Sequence, residues 1–379
     1  MREGWDEKRF DEVFSLQMGK TPDRKNFSLF EGDNIWVSIK DLEDKYISSS
    51  KECISDEAAS NINIVKSGTV IMSFKLTIGK CAIAATDLYT NEAIMAFNTN
   101  DGYEIDSSFL YYYLQGYEWE GLNNAVMGLT LNKSTISKHK ISFPTILIQQ
   151  AIASELDMIT EMISKYDEQL KELDKLSQSI FYEMFGDPVE NEKGWEVKKL
   201  EEIADATIGL TYKPENVADN GVIVLRSGNI QNSALDFTDI LRVETNIPSH
   251  KYVKDGDILM CTRNGSLRHV GKVAIIKNLN EQMTYGAFMT VIRSEMNPYL
   301  YGYFNTPAFR DSLIHGKTTT INQITVKMLN ETSLPIPPLP LQQSFARNTE
   351  AIEAMKSKVR EAKKEAETLL AARMQYWFE

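Results

Sequence analysis

Short runs of apolar residues alternate with polar, turn-forming segments in two long parts of the chain. Clusters of Asn, Gly, Asp and Ser separate the runs, as is typical of strands joined by turns. A helical pattern follows in each part, near Asp106–Tyr117 and near Pro298–Leu313. Both parts are therefore predicted to be mixed α/β domains. The runs are Ile35–Ile39, Thr69–Phe74 and Cys81–Ala84 in the first part, and Val222–Leu225, Asp257–Cys261 and Val273–Ile276 in the second.

A long helix is predicted after each part. Gln149–Phe185 contains neither Pro nor Gly, and its apolar residues recur at steps that alternate between four and three, which indicates a heptad seam. Gly186-Asp187-Pro188 ends this helix, and Gln342–Glu379 repeats the pattern with a weaker seam. Neither helix can bury its stripe alone, so the two are expected to pack together. The first seam comprises Ile152, Leu156, Ile159, Ile163, Tyr166, Leu170, Leu173, Ile180 and Met184, and the second Phe345, Ile352, Met355, Val359, Ala362, Ala366, Leu369 and Leu370.

The two halves of the chain repeat each other. Gly4-Trp5 returns as Gly194-Trp195, and the offset between matching segments stays between 188 and 193 residues. A repeat of this length predicts two similar domains related by an internal pseudo-twofold axis, not a solenoid of short units. Further matches are Val65–Gly68 with Val253–Gly256, Gly79–Ile83 with Gly271–Ile275, Phe109–Tyr111 with Tyr299–Tyr301, and Ile148–Gln150 with Leu341–Gln343.

We predict an α+β fold of two similar mixed α/β domains joined by two long antiparallel coiled-coil helices. The antiparallel direction follows because a twofold axis reverses one of two equivalent helices relative to the other. The predicted division is a first domain over 1–146, a first long helix over 147–186, a second domain over 187–340 and a second long helix over 341–379.

Composition narrows the class of protein. Of the 379 residues, 42% are hydrophobic and 25% are charged, as in ordinary globular domains. No apolar run approaches the roughly 18 residues of a membrane span, and the N-terminus lacks a secretory signal. The three cysteines form no CxxC motif and the four histidines are scattered, so we expect a reduced, cytoplasmic protein without a zinc site. The net charge of −12 argues mildly against bulk nucleic-acid binding but permits a local basic surface.

Catalytic motifs are absent from the sequence. None of the four Gly-Lys pairs has the glycine five positions earlier that a phosphate-binding loop needs, and no GxGxxG follows a predicted strand. Asn297-Pro298-Tyr299 lacks the second proline of the tetrad with which amino-methyltransferases grip a flipped base. We therefore predict that this chain is not an enzyme.

Large apolar side chains crowd the ends of the predicted helices. A cluster of this kind is expected to be buried against another surface. Packing on the adjacent domain is one explanation, and a partner protein is the other. The residues assigned to this candidate partner interface are Met162, Phe181, Tyr182, Phe185, Tyr376, Trp377 and Phe378.

The order of parts resembles the specificity subunit of type I restriction–modification systems. The resemblance covers essentially the whole chain and includes three phrases typical of that family. One departure is the short Ile141-Ser142-Phe143-Pro144 of the first copy, where the family often has a fuller Pro-rich phrase. The three phrases are Gly194–Leu200, Ser179–Pro188 and Pro335–Leu339.

The resemblance implies a function and a set of partners. Each domain would be a target recognition domain that reads one half of a split, asymmetric site on double-stranded DNA. The helices would set the spacing of the half-sites and dock two methyltransferase subunits, and restriction subunits can join. S-adenosylmethionine, ATP and Mg²⁺ are expected only in those partners, so this chain would hold no cofactor.

Loops rich in Arg, Lys and Asn are the candidate DNA-binding segments, because these side chains donate to base edges and phosphates. The strongest candidate is the loop 263–272, whose shorter counterpart is 75–80, so the two domains are expected to read different half-sites. A solvated hairpin loop, a turn into a strand, or an intradomain salt bridge for Arg226 and Arg293 are the structural alternatives. The candidates are Lys20, Arg24, Lys25, Lys75, Lys80, Asn132, Lys133, Lys213, Arg226, Arg263, Asn264, Arg268, His269, Lys272, Lys317, Thr318 and Asn322.

Two other functions stay open at this point. A protein-interaction scaffold, whose duplicated domains hold protein ligands, is favoured by the net charge of −12. The other is that the chain is an inactive specificity subunit. The sequence does not reveal the target bases.

Overall fold

The computed structural model describes residues 4–120, 123–125, 128–315 and 323–379. Contacts divide the chain into two compact units. The first unit is Met1–Tyr166 with Ala362–Glu379, and the second is Asp167–Glu361. Each unit thus contains one α/β domain and a segment of each long helix. This grouping by contacts differs from the predicted division into four consecutive segments, and that division stays a prediction.

The first unit contains twelve of the described strands. Its helices are α1 (Phe10–Val13), α2 (Asp56–Ala59), α3 (Ser107–Gly116) and α4 (Lys133–Lys138), followed by the start of the long helix α5 (Ile146–Phe185). The strands are β1 (Asp6–Arg9), β2 (Phe14–Met18), β3 (Asn34–Val37), β4 (Tyr46–Ile47), β5 (Glu52–Ile54), β6 (Val70–Ser73), β7 (Cys81–Ala84), β8 (Tyr89–Thr90), β9 (Ile94–Thr99), β10 (Asn123–Ala125), β11 (Gly128–Thr130) and β12 (Lys140–Phe143).

The second unit contains eleven of the described strands. Its helices are α6 (Asn297–Phe304), α7 (Pro307–His315) and α8 (Val326–Asn330), and the second long helix α9 (Leu339–Phe378) begins in it. The strands are β13 (Glu196–Lys199), β14 (Asp205–Ile208), β15 (Val217–Leu225), β16 (Ile230–Gln231), β17 (Ala234–Leu235), β18 (Arg242–Val243), β19 (Ile258–Cys261), β20 (Val273–Ile275), β21 (Met283–Tyr285), β22 (Met289–Arg293) and β23 (Ser333–Ile336).

The two units share one strand order. The main sheet is β2-β9-β6-β7-β4 in the first unit and β14-β22-β19-β20 in the second, and the smaller sheets β5-β3-β8 and β18-β15-β21 also correspond. The pairs β1-β12 and β13-β23 match as well. These equivalences confirm the predicted fold class of two similar mixed α/β domains. The extra strand β4 belongs to the first unit and the hairpin β16-β17 to the second.

The central strands are buried on both faces. Every residue of β6, β7 and β19 is buried, which explains why these strands read as continuous apolar runs in the sequence. One face of the first main sheet packs on α3, where Phe109 and Leu114 are fully buried. In the second unit Leu300 and Phe304 of α6 occupy the same place.

The predicted helical stretch near Pro298–Leu313 is two helices. Pro307 lies at the start of α7 and has no backbone N–H to continue α6. The hydroxyl of Thr306 accepts a hydrogen bond from the N–H of Phe309 at 3.2 Å and caps the new helix. By contrast, the single helix near Asp106–Tyr117 is confirmed as α3, and Asp106 caps it by accepting from the N–H of Phe109 at 2.9 Å.

In the first unit, α5 and α9 are joined by a polar clamp. The guanidinium of Arg373 donates to the carboxylate of Glu155, at 2.9 Å for its Nη2, and the indole Nε1 of Trp377 donates to the same carboxylate at 3.0 Å. Around the clamp, Ile152 and Leu156 are buried in the domain core. The clamp therefore attaches the end of α9 to the first domain.

In the second unit the same helices run antiparallel. Asp174 of α5 pairs with Lys356 of α9, and farther along α5 Phe181 packs on Phe345, which is earlier in α9. Lys356 is only 3% exposed, and its ammonium also binds Glu353 at 2.8 Å. Next to it Met355 is 54% exposed, so its predicted place in the seam is wrong. No helix in the described ranges is both long enough and apolar enough to cross a membrane.

A buried glutamine ties the start of each long helix to its domain. Gln149 donates to the carbonyls of Pro144 and Glu104 at 2.8 and 3.0 Å. Gln342 donates to the carbonyl of Pro337 at 2.7 Å. The repeated glutamines of the sequence thus have the same anchoring role in both units.

Candidate functional site

A glycine after the first strand of each main sheet lets two backbone segments touch. A Cβ atom on Gly19 would lie 2.0 Å from the carbonyl oxygen of Thr90, and one on Gly209 would lie 2.1 Å from that of Gly286. The loop that follows each glycine is therefore held against the loop that precedes β9 or β22. This contact brings separate loops to one end of each main sheet.

In the second unit these loops surround a cleft of about 500 Å³. Four segments form its walls: the turn after β14, the turn after β15, the loop between β17 and β18, and the loop between β21 and β22. The lining includes aromatic, cationic and anionic side chains together with exposed glycine backbone. The lining includes Tyr212, Arg226, Ser227, Gly228, Asp239 and Phe288.

Two predicted DNA-binding residues lie next to this cleft. The guanidinium carbon of Arg263 is 5.1 Å from the ring centroid of Phe288. The side-chain amide of Asn264 donates to the hydroxyl of Ser227 at 3.1 Å. The loop after β19 therefore joins the loops of the cleft, and the structure brings Arg226, Arg263 and Asn264 together.

Several cations of the second unit are paired with carboxylates. Arg226 binds Asp239 at 2.8 Å across the cleft, and Lys213 binds Glu215 at 3.3 Å on the surface. Arg293 binds the buried Asp257 at 2.6 Å, so both Arg226 and Arg293 form the intradomain salt bridges considered from the sequence. Pairing with Asp257 raises the pKa of Arg293, so that arginine stays a fixed structural cation.

The remaining basic residues of the 263–272 loop form a second group. Arg268 is exposed and donates from Nε to Nε2 of His269 at 3.3 Å. Partial desolvation and the positive charges of Lys272 and Arg268 lower the pKa of His269, which favours its neutral ring. A neutral imidazole beside an arginine suits hydrogen bonding more than charge attraction.

The first unit holds its cations differently. The guanidinium of Arg24 forms two bonds with Glu52, at 2.5 and 3.0 Å, and lies over the rings of Phe30 and Trp36 at 4.5 and 4.9 Å. The ammonium of Lys75 lies 5.3 Å from the ring of Phe74. Arg24 is thus largely committed to the domain itself.

Glu92 is the charge at the equivalent end of the first main sheet. Burial opposes ionisation of Glu92, but the hydrogen bond from the hydroxyl of Thr21 and the charges of Lys75 and Arg24 lower its pKa below the ordinary value. Glu92 lies two residues before β9, and Ala287 lies two residues before β22, so the two positions are equivalent. The first unit therefore has a carboxylate at a position where the second unit has an alanine. The two units therefore present different chemistry at equivalent ends.

The other predicted residues of the first unit are exposed. The carbonyl of Lys20 accepts from the indole of Trp36 at 3.1 Å, so that backbone is fixed while the side chain is exposed. Asn132 caps α4 by accepting from the N–H of Thr135 at 2.8 Å. Lys25, Lys80 and Lys133 are exposed cations as well. Lys317, Thr318 and Asn322 lie outside the described residues.

The predicted partner interface is wrong for two of its residues. Phe181 and Phe185 are 1% and 2% exposed and pack on Phe345 and Tyr299 within the second unit, because the aromatic helix end fills the domain's own core. Phe378 is half-buried against Phe109 at 5.6 Å. Trp377 and Tyr182 are half-buried as well.

Other apolar residues of the long helices remain on the surface. Met162 and Tyr376 are 43% and 54% exposed. Met158, which the sequence analysis missed, is 61% exposed, and Leu369 is 48% exposed, so its predicted place in the second seam is wrong. All four belong to the first unit. A helix face with exposed methionine and leucine side chains suits a protein partner.

Phe288 is one of the cleft residues that the sequence analysis missed. It is 57% exposed, an unusual fraction for a phenylalanine next to a buried strand. Its neighbours Tyr285 and Met289 are buried, so the apolar run from 283 to 293 hides one exposed member. The only available signal was the glycine at 286, which marks a turn in that run.

The cleft offers hydrogen-bond donors and an aromatic face, and these suit recognition more than bond-breaking chemistry. In the described part of the chain no cluster of three or more His, Cys, Asp or Glu could hold a metal ion. The donors available are the guanidinium groups of Arg263 and Arg226 and the amide of Asn264. Such side chains bind the edges of nucleobases and phosphate oxygens.

Comparison with known proteins identifies relatives of both halves. The family model for the type I restriction modification DNA specificity domain matches residues 2–174 and 192–367. The specificity subunit of type I restriction enzyme MjaIX from Methanocaldococcus jannaschii is 30% identical over 229 residues, which are 54% of this chain and 52% of that protein. The EcoKI specificity subunit from Escherichia coli K12 is 28% identical over 171 residues, 42% of this chain and 36% of that protein. The matched regions thus span about half or less of these two relatives.

Solved structures share the fold at low sequence identity. The S subunit of a type I restriction-modification system from M. genitalium aligns over 98% of this chain and 95% of its own, with a TM-score of 0.55 and 15% identity. A chain from a structure on complex assembly and conformational transition of a type I R-M system aligns over 100% and 98%, with a TM-score of 0.57 and 18% identity. These similarities confirm the fold.

Proposed function

The chain belongs to the type I restriction modification DNA specificity family, and on that premise we propose that it is the DNA-recognition subunit of a type I restriction–modification complex. The observation that carries the proposal is that the family domain matches twice, once in each structural repeat. Two recognition domains in one chain read two half-sites of one bipartite sequence. Because equivalent loops carry Glu92 in one unit and Phe288 in the other, the two half-sites differ.

The domains bind DNA through the loops at one end of each main sheet. In the second unit these loops carry Arg226, Arg263 and Asn264 around the cleft. The net charge of −12 is compatible with this role, because the acidic residues pair with other cations or cover the long helices. Lys20, Lys25 and Lys80 add phosphate contacts in the first unit.

The long helices set the spacing between the half-sites and dock two methyltransferase subunits. Support for docking comes from the exposed Met158, Met162 and Leu369 in the first unit. The chain itself performs no catalysis in this proposal. S-adenosylmethionine, ATP and Mg²⁺ bind only to the partner subunits, and a restriction subunit completes the nuclease.

Methylome sequencing tests the proposal directly. A host that expresses this chain with its cognate methyltransferase subunit is compared with a host that expresses the methyltransferase alone. We expect a new split, asymmetric, adenine-methylated motif only when this chain is present. Unchanged methylation, with the complex shown to form by co-purification, would favour a protein-interaction scaffold or an inactive cassette.

A further inference from the structure

Backbone hydrogen bonds fix Arg263 and Phe288 side by side. The carbonyl of Phe288 accepts from the N–H groups of Thr262 and Arg263 at 2.9 and 3.1 Å. Arg263 also forms a β-bridge with Gln323 on its other side. Both side chains therefore project from anchored backbone although both are exposed.

Arg263 has no carboxylate partner among residues 4–120, 123–125, 128–315 and 323–379. Its guanidinium lies over the Phe288 ring at 5.1 Å, whereas Arg226 and Arg24 are both neutralised by acidic residues. A ring that holds one face of a guanidinium limits its rotation and leaves the N–H groups at its edge free to donate. The acceptor that fits such a fork is planar and bidentate.

The equivalent position in the first unit has a different composition. The carbonyl of Ala93 accepts from the N–H of Phe74 at 3.0 Å, just as the carbonyl of Phe288 accepts from the N–H of Thr262. Ala93 is therefore equivalent to Phe288. Lys75, which follows Phe74, is equivalent to Arg263, which follows Thr262. Ala93 is 7% exposed and offers no ring. A lysine ammonium is a point charge without a planar fork. At this position, therefore, the second unit has an aromatic–arginine pair and the first unit has an alanine and a lysine.

We propose, on the basis of the recognition function above, that Arg263 reads a guanine in the half-site bound by the second domain, with Phe288 as its positioning residue. Guanine presents O6 and N7 in the major groove, and this pair of acceptors matches the arginine fork. A phosphate group is the other bidentate acceptor in DNA, but a phosphate contact carries no sequence information.

The test starts from the methylated motif of the wild-type complex. We expect at least one guanine in one half-site whose replacement by 7-deazaguanine, which lacks N7, weakens binding of the wild-type complex on the order of 10-fold. Arg263→Lys relaxes the preference for that guanine by about 5- to 100-fold and leaves the other half-site unchanged. Phe288→Leu relaxes the same position more weakly, without moving the thermal midpoint of the complex.

Controls separate base reading from other roles. Arg310→Lys makes the same substitution at an exposed arginine of the second unit outside the cleft, and the motif should stay unchanged. Equal loss of affinity for all sequences with Arg263→Lys, together with a smaller salt dependence, would identify a phosphate contact and overturn the inference. A motif whose guanines all tolerate 7-deazaguanine would overturn it without any variant, while the proposed function stands. If no motif appears, the proposed function and this inference fail together.

Discussion

Gly19 and Gly209 show how a single missing Cβ atom shapes the loops at one end of each main sheet. A Cβ atom added to either glycine would lie about 2 Å from a backbone carbonyl oxygen. Backbone cannot move aside as a flexible side chain can, so any larger residue separates two loops. The sequence repeat aligned these glycines, but only the structure identifies the carbonyl that each one faces.

Replacing Gly209 with Ala is expected to lower the free energy of unfolding by about 1–3 kcal/mol, because the new methyl group overlaps the carbonyl of Gly286. Gly228→Ala is the matched control. No atom lies within 4 Å of its added Cβ, so the change should stay within about 0.5 kcal/mol. Urea denaturation of the two variants checks this, and equal midpoints would contradict the overlap.

The sequence placed polar residues in loops correctly but did not separate exposed phenylalanines from buried ones. Arg263 and Asn264 were recognisable because polar side chains between two apolar runs must lie in a loop. Phe181 and Phe288 could not be separated in the same way. Both are phenylalanines in apolar surroundings, yet the first is 1% exposed and the second 57%, and only tertiary packing distinguishes them.

At the scale of elements, apolar runs located six of the 23 described strands, and periodicity located both long helices. The strand Cys81–Ala84 was predicted with the observed bounds, since all four residues are buried. The seam of α9 was harder to place, because its buried Lys356 looks polar and its exposed Met355 looks apolar. Heptad rules assume an apolar partner, whereas α5 offers Lys356 the carboxylate of Asp174.

Lys356→Ala is expected to lower the free energy of unfolding by about 1–3 kcal/mol, because Asp174 and Glu353 lose their shared donor. The cost stays below that of breaking a fully buried pair, since Asp174 is half-exposed. Lys358→Ala, on the exposed face of the same helix, is the control. Denaturant titration should rank the two variants in this order, and the reverse order would exclude a stabilising role for the buried ammonium.

The clamp in the first unit predicts a pH dependence. Hydrogen bonds from Arg373 lower the pKa of Glu155 below its ordinary value of 4.5. The stabilisation is therefore complete above pH 4.5 and is lost as the pH falls through the lowered value. Between about pH 5 and pH 3 the thermal midpoint of the wild type should fall more steeply than that of Glu155→Gln. Glu168→Gln removes an exposed carboxylate elsewhere on α5 and should behave as the wild type; parallel curves for all three proteins would rule out the clamp as a titrating contact.

At the scale of the whole molecule, the duplication was visible from the sequence because buried strands and glycine turns recur at nearly constant offset. The structure adds that matching sheets can differ in the chemistry of their loops. Net charge, in contrast, was a poor guide to whether the surface suits nucleic acid, since a sum of −12 does not tell where the carboxylates lie. Burial and pairing of each acid had to be observed.

Inserting one heptad into both α5 and α9 is expected to lengthen the preferred spacer between half-sites by about three base pairs, since seven residues add roughly 10 Å of helix. Methylome sequencing of the double insertion reads out the new spacing. An insertion in α5 alone puts the paired seams out of step and should reduce complex formation. An unchanged spacer in the double insertion would show that the helices do not act as the ruler.

The first unit is built from two distant pieces of the chain, and this has a consequence for its synthesis. Residues 362–379 pack Leu370, Met374 and Phe378 on the core of a domain whose other part ends at residue 166. A ribosome therefore finishes the continuous second unit before it delivers the last segment of the first. Domains usually complete in order from the N-terminus; here the domain that emerges first closes last and keeps an apolar surface uncovered during translation.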